Sequence, residues 1–91
     1  MGSTKRWIKD PNAVKNYTIN WVAFLGVDTI ASSTWIVPAG LIKDSDTKTT
    51  TTTTIWLSSG TADTEYSVVN RITTAGGVTE DCTLTIAVEE T

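Results

Sequence analysis

Residues 60–88 read Gly60-Thr61-Ala62-Asp63-Thr64-Glu65-Tyr66-Ser67-Val68-Val69-Asn70-Arg71-Ile72-Thr73-Thr74-Ala75-Gly76-Gly77-Val78-Thr79-Glu80-Asp81-Cys82-Thr83-Leu84-Thr85-Ile86-Ala87-Val88. Two alternating runs, 66–74 and 78–88, flank a glycine pair that supplies the positive φ values of a tight reversal. Tyr66, Val68, Asn70 and Ile72 share one face of the first run. Cys82, Leu84, Ile86 and Val88 share one face of the second, with Thr83, Thr85 and Ala87 opposite. Period-two alternation in both arms predicts an antiparallel hairpin with one face in a core and the other in water. Its expected core residues are Tyr66, Val68, Ile72, Leu84 and Ile86. Tyr66 opens its strand just after the turn 57–61. Two readings stand for it: a tyrosine corner, whose hydroxyl bonds back to the preceding loop, or plain packing in a sheet.

Working outward, 91 residues suit one domain built on a single core. With 40% hydrophobic and 19% charged residues the balance is globular and not disordered. A formal charge of −3 disfavours a sequence-independent grip on nucleic acid, which needs clustered Lys and Arg. No apolar run approaches the roughly 20 residues of a membrane-spanning helix, and no export signal opens the chain. The expectation is a soluble protein with neither nucleic acid nor membrane among its partners.

Toward the N-terminus, Lys5-Arg6-Trp7-Ile8-Lys9 is cationic and apolar, and Asp10-Pro11-Asn12 closes it with a turn. Residues 1–11 are read either as an arm that orders on a neighbouring subunit or as the first edge strand with Trp7 on its own core. Residues 12–91 are read as the sandwich domain. Tyr17, Ile19 and Trp21 share one side of a strand, and 22–26 suits one helical turn with Phe24 and Leu25 as pegs. In 28–37, Ile30 and Trp35 differ by an odd number, so burying both needs a bulge, expected in Ser32-Ser33-Thr34. Leu41-Ile42 starts a short strand and Asp44-Ser45-Asp46 reads as a polar loop, without the later ligands or flanking helices of a calcium site. Thr49 to Thr54 favour extended backbone and read as an edge or outer strand anchored by Ile55 and Leu57, with Trp56 pointing away from the core. About seven short strands with turns every 8 to 12 residues predict an all-β immunoglobulin-like antiparallel β-sandwich, with a small jelly roll or open barrel as the alternative.

Catalytic chemistry is missing from this sequence. There is no histidine, hence no common general base or metal ligand, and Cys82 falls on an inward strand face where it acts as a small hydrophobe. Asp44, Asp46, Asp63, Glu65, Glu80 and Asp81 fall in turns or at strand ends, where solvated acids are usual. The reading is a non-enzyme with no catalytic, cofactor-binding or metal site. Tryptophan is the surplus: four in 91 residues exceeds what so small a core absorbs. Trp56, and either Trp7 or Trp21, are expected to face outward, as protein contacts or sugar-stacking platforms.

Lys9-Asp10-Pro11, Tyr17-Thr18-Ile19-Asn20-Trp21, Asp28 to Trp35, Val37-Pro38-Ala39-Gly40-Leu41, Trp56 to Ala62 and Asn70 to Gly77 together resemble the small virion proteins of tailed bacteriophages described as fibre–tail adaptors. The likeness covers nearly the whole chain. It implies an Ig-like structural module, in several copies per particle, made in the host cytoplasm and sited in the tail where it meets the fibres. Its partners would be the tail tube or tail adaptor and the tail fibre. No catalytic residue carries over. The surfaces expected to make the contacts are Lys5, Arg6, Trp7, Ile8 and Lys9 on one side and Trp56 on another. A capsid-decorating cement protein and a carbohydrate-binding adhesin module are the alternatives.

Overall fold

Alternation decides the strands, and long-range pairing decides how they assemble. The computed structural model describes the backbone of residues 4–89 and the side chains of residues 7–89. The side chains of Lys5 and Arg6, like Glu90, therefore lie outside the described residues. Seven strands follow in order: β1 (Thr4–Lys9), β2 (Lys15–Asn20), β3 (Ile30–Ile36), β4 (Leu41–Lys48), β5 (Thr52–Ser59), β6 (Thr64–Thr74) and β7 (Thr79–Val88). One helical turn, α1 (Val22–Leu25), follows β2. Strands β1-β7-β6-β3 form one sheet and β2-β5-β4 the other. Lettered in chain order, these are the C-F-G and B-E-D sheets of an immunoglobulin sandwich, with the first strand on the C-F-G side.

The β6–β7 hairpin pairs antiparallel from Thr64↔Val88 to Thr73↔Thr79, as alternation predicts. Val68, Ile72, Leu84 and Ile86 are fully buried, and Tyr66 packs half-buried against them. Tyr66 forms the corner: its hydroxyl accepts the Thr61 backbone N–H at 3.0 Å. Gly40 makes room for it, since a Cβ there would sit 2.8 Å from the Tyr66 ring at a φ of +104°. Leu25 is buried and Phe24 half-buried, so both pegs of α1 reach the core.

Several expectations are corrected. Strand β1 is an edge strand, and it pairs parallel to β7, Thr4↔Thr83 through Lys9↔Val88, so the sandwich is not wholly antiparallel. The threonine run is not an outer strand: Thr49 to Thr51 precede β5, and Thr52 to Thr54 belong to it, the central strand of its sheet, paired with β2 and β4. The residues Asp44-Ser45-Asp46 are not a loop. They belong to the eight-residue edge strand β4, whose register shifts at Asp44 between Lys43 and Ser45. The bulge that buries both Ile30 and Trp35 falls at Ala31, one residue before the expected stretch.

Three contacts tie the sheets together. The Trp21 indole N–H donates to Thr53 Oγ1 (3.1 Å) and Asn70 Oδ1 (3.2 Å), and the Thr53 hydroxyl donates to Asn70 Oδ1 (2.7 Å). Asn70 Nδ2 donates in turn to Ser33 Oγ (2.9 Å) and the Thr34 carbonyl (3.2 Å). All the hydrogen-bonding capacity of a buried Asn is used, as burial demands. At one end Lys9, fully buried on β1, donates its ammonium to the carbonyls of Ser59 on β5 (2.6 Å) and Asp10 (2.9 Å). Burial pulls its pKa below the ordinary lysine value, partly offset by Asp10 and Asp44. Between them Trp7 of β1 meets Tyr17 of β2 edge to face, with ring centroids 4.7 Å apart.

Tyr17 is buried, and among the described residues neither its hydroxyl nor the buried Trp35 indole N–H has a hydrogen-bond partner. Burial pushes the Tyr17 pKa up to about 12. Below pH 10 its hydroxyl is neutral in both states. As pH rises from about 10 to 12 the unfolded tyrosine ionises while the folded one stays neutral, and roughly 2–3 kcal/mol of stability is lost across that window. Tyr17→Phe is expected to be as stable as the parent or up to about 1 kcal/mol more stable at pH 7, and to lose less stability between pH 10 and 12. Denaturant titrations of both proteins at each pH check this. The difference isolates Tyr17 from Tyr66, whose pKa the Thr61 hydrogen bonds pull the other way. Equal alkaline losses in the two proteins would contradict it.

Candidate protein interface

The fold is a rod of 41 × 21 × 20 Å, and hydrogen bonds sort its loops into two poles. At the first, Trp21 N–H donates to Thr51 O, Ile30 N–H to Thr50 O and Ala75 N–H to Thr29 O, which joins residues 21–29, 49–51 and 75–78. At the second, the Lys9 ammonium donates to Asp10 O and Ser59 O, Thr61 N–H donates to the Tyr66 hydroxyl, Gly40 lies against the Tyr66 ring and Asp63 N–H donates to Val88 O, which brings Asp10, Gly40 and residues 59–63 to one end.

The first pole is apolar and stiff. Val22, Val27 and Val78 are exposed there, Val27 completely. Phe24, Leu25, Asp28, Thr74 and Val78 line a hollow of about 270 Å³. Asp28 locks the loops: its carboxylate accepts the N–H of Thr29 (2.8 Å) and of Gly76 (3.2 Å). The Thr74 side chain and these backbone donors hold Asp28 below the usual carboxylate range. Gly76 permits the approach, because a Cβ there would meet the carboxylate at 2.8 Å.

The second pole is chemically different. A cleft of about 240 Å³ is lined by Asp63, Thr64, Glu65, Ala87, Val88 and Glu89, three of them acidic. Around the same end Ile8, Val14 and Ile42 expose their side chains, and Ile36, opposite Val69, does so midway along its sheet. Among the described residues no group of His, Cys, Asp and Glu could hold a metal ion.

The tryptophans are placed differently from the expectation. Trp21 and Trp35 are buried, and Trp7 and Trp56 are half-buried. Trp21 therefore does not face outward, since its indole N–H has partners only inside. Trp7 packs against the core, and Ile8, 53% exposed, is the outward residue beside it. Lys9 is corrected as an interface residue: it is 0% exposed and spent on internal carbonyls. Trp56 lies outside the core cluster, opposite Asn16 and Ser45 in the register of its sheet. Sequence reasoning missed the exposed valines, although Val27 and Val78 each follow a turn glycine, which marks them as loop residues. Of the candidate acids, Asp44 and Asp46 lie on β4, Asp46 paired with Lys43 at 2.6 Å, and Asp81 pairs with Arg71 at 2.8 Å.

The described residues thus form a rod with two chemically unlike ends, each rimmed by exposed apolar side chains. Residues 9–87 match the model of the Gp77 family, described as podophage GP4 fiber-tail adaptor protein gp77. The chain belongs to this family. No curated protein matches it. The matched span starts at Lys9 and runs into β7, so it takes in the helical turn, the tyrosine corner and the Asn70 network. Membership of a fibre–tail adaptor family makes this a bacteriophage tail structural protein whose contacts are with other virion proteins.

Proposed function

We propose that this protein is a non-enzymatic connector that sits between the phage tail and its fibres and holds one of them at each pole. The family match over residues 9–87 carries this reading. The rod form and the contrast between an apolar and an acid-lined pole support it, because a connector needs two surfaces that do not compete for one partner. The flank of β1, with Lys5, Arg6, Trp7 and Ile8, and the outer face of the other sheet around Trp56 extend the contact area between the poles.

Trp56→Ala is the test of that face. A tryptophan at the centre of a contact contributes about 2 kcal/mol or more, some 30-fold in affinity. The variant is expected to bind purified tail or fibre protein at least about 30-fold more weakly, with a loss of unfolding free energy of no more than about 2 kcal/mol. A loss of about 3–5 kcal/mol with unchanged binding would make Trp56 a packing residue only. Localising the protein on assembled particles tests the role itself. Density at the tail–fibre junction is expected, and density on the capsid lattice would assign it to head decoration instead. Binding of immobilised glycans by a chain that ignores tail and fibre would overturn the connector reading.

A further inference from the structure

A sandwich of two open sheets has four edges, here β1, β2, β3 and β4. Strand edges present unpaired backbone groups, and soluble proteins guard them with charge, proline or bulges. Three of these edges carry such guards. Strand β4 has Lys43, Asp44, Asp46 and Lys48 as well as a bulge, and the sequence of β1 carries Lys5 and Arg6. Strand β2 opens with an exposed Lys15 and carries Asn16 and Asn20, residues that ladders disfavour. Strand β3 reads Ile-Ala-Ser-Ser-Thr-Trp-Ile and has no charge at all. Its bulge at Ala31 lies near its start, and Ser32 to Ile36 run in unbroken register with Thr73 to Val69 of β6. Ile36 closes that stretch 47% exposed.

From this we infer that two copies of the chain pair through β3, antiparallel about a two-fold axis near Thr34, and join their four-stranded sheets into one of eight strands. A two-fold contact sets a strand against itself, so a charge near the axis meets its own copy. The absence of charge on β3 is what self-pairing requires, whereas pairing β4 with itself about Ser45 would set Asp44 against Asp46. With the axis at Thr34, Ile36 of each copy lies beside Ser32 of the other and covers part of its exposed side chain. Antiparallel pairing uses the ladder groups that β6 leaves free. One strand pair is small for an interface, so the dimer is weak in solution and is favoured where copies are concentrated in a particle.

The test is sedimentation equilibrium of the purified chain from roughly 10 to 500 μM. The mass is expected to rise from 9.8 kDa toward twice that value over this range. Thr34→Lys, which sets two ammonium groups beside the axis, is expected to weaken dimerisation at least tenfold. Thr47→Lys on the exposed β4 edge is expected to leave it within twofold. Thermal melts establish that each variant is folded, and Ser32→Lys replaces Thr34→Lys if that one is not. A chain that stays monomeric to 500 μM would overturn the proposal. So would a dimer that Thr47→Lys dissolves and Thr34→Lys does not. Neither result touches the connector reading, which rests on tail and fibre binding.

Discussion

Asn70→Ala is expected to remove about 3–4 kcal/mol of unfolding free energy, the largest loss of any single substitution considered. The Thr53 hydroxyl loses its acceptor, and Ser33 Oγ and the Thr34 carbonyl lose their donor. Trp21 keeps only the 3.1 Å bond to Thr53. A buried polar group left without a partner costs about 1–3 kcal/mol, and the cavity left by the amide adds to that. For a domain of this size each kcal/mol moves the melting temperature by about 4–8 °C, so a fall of roughly 15 °C or more is expected in a calorimetric melt. Thr73→Ala, on the opposite face of the same strand, is the control and should stay within about 0.5 kcal/mol of the parent. A loss below about 1 kcal/mol for Asn70→Ala would show that the network does not hold the two sheets together.

Removal of residues 1–9 is expected to unfold the domain at 37 °C. A free arm could be deleted at no cost to the fold, but β1 is not free. It covers β7 over six residue pairs, brings Trp7 against Tyr17 and seats the Lys9 ammonium on Ser59. Losing a half-buried tryptophan costs about 3 kcal/mol, and the Ser59 carbonyl and the β7 ladder groups lose their partners as well. The sum approaches the 5–15 kcal/mol that holds a domain folded. Far-UV circular dichroism and one denaturant titration decide the matter. A truncated chain that melts cooperatively within about 1 kcal/mol of the parent would restore the arm reading. Lys9→Met separates the parts: it keeps the hydrocarbon stem, loses the two hydrogen bonds and is expected to cost about 1–3 kcal/mol.

Much of the fold is legible in short stretches of sequence. The β6–β7 hairpin, its inward faces, the glycine reversal and the pegs Phe24 and Leu25 follow from alternation and turn chemistry, which act over a few residues. The need for a bulge before Trp35 follows from parity. Its position at Ala31 does not, because pairing with Ile72 to Thr74 sets it. Of the candidate interface, the place of Ile8 beside Trp7 is readable, while the two poles are not. They arise when loops far apart in the chain are drawn together, as Ala75 is to Thr29 and Lys9 to Ser59.

The sequence by itself determined the two strands of the β6–β7 hairpin and which side of it is wet, because a side-chain period of two is a local property of extended backbone. Only the tertiary structure decided that Thr53 and Lys9 are interior residues, that Thr52 to Thr54 belong to a central strand and that β1 lies parallel to β7. Polarity along the chain marks Thr53 and Lys9 as surface. They are buried because acceptors and donors from 17 to 50 residues away in the chain satisfy them, and a partner at that distance leaves no trace in local pattern.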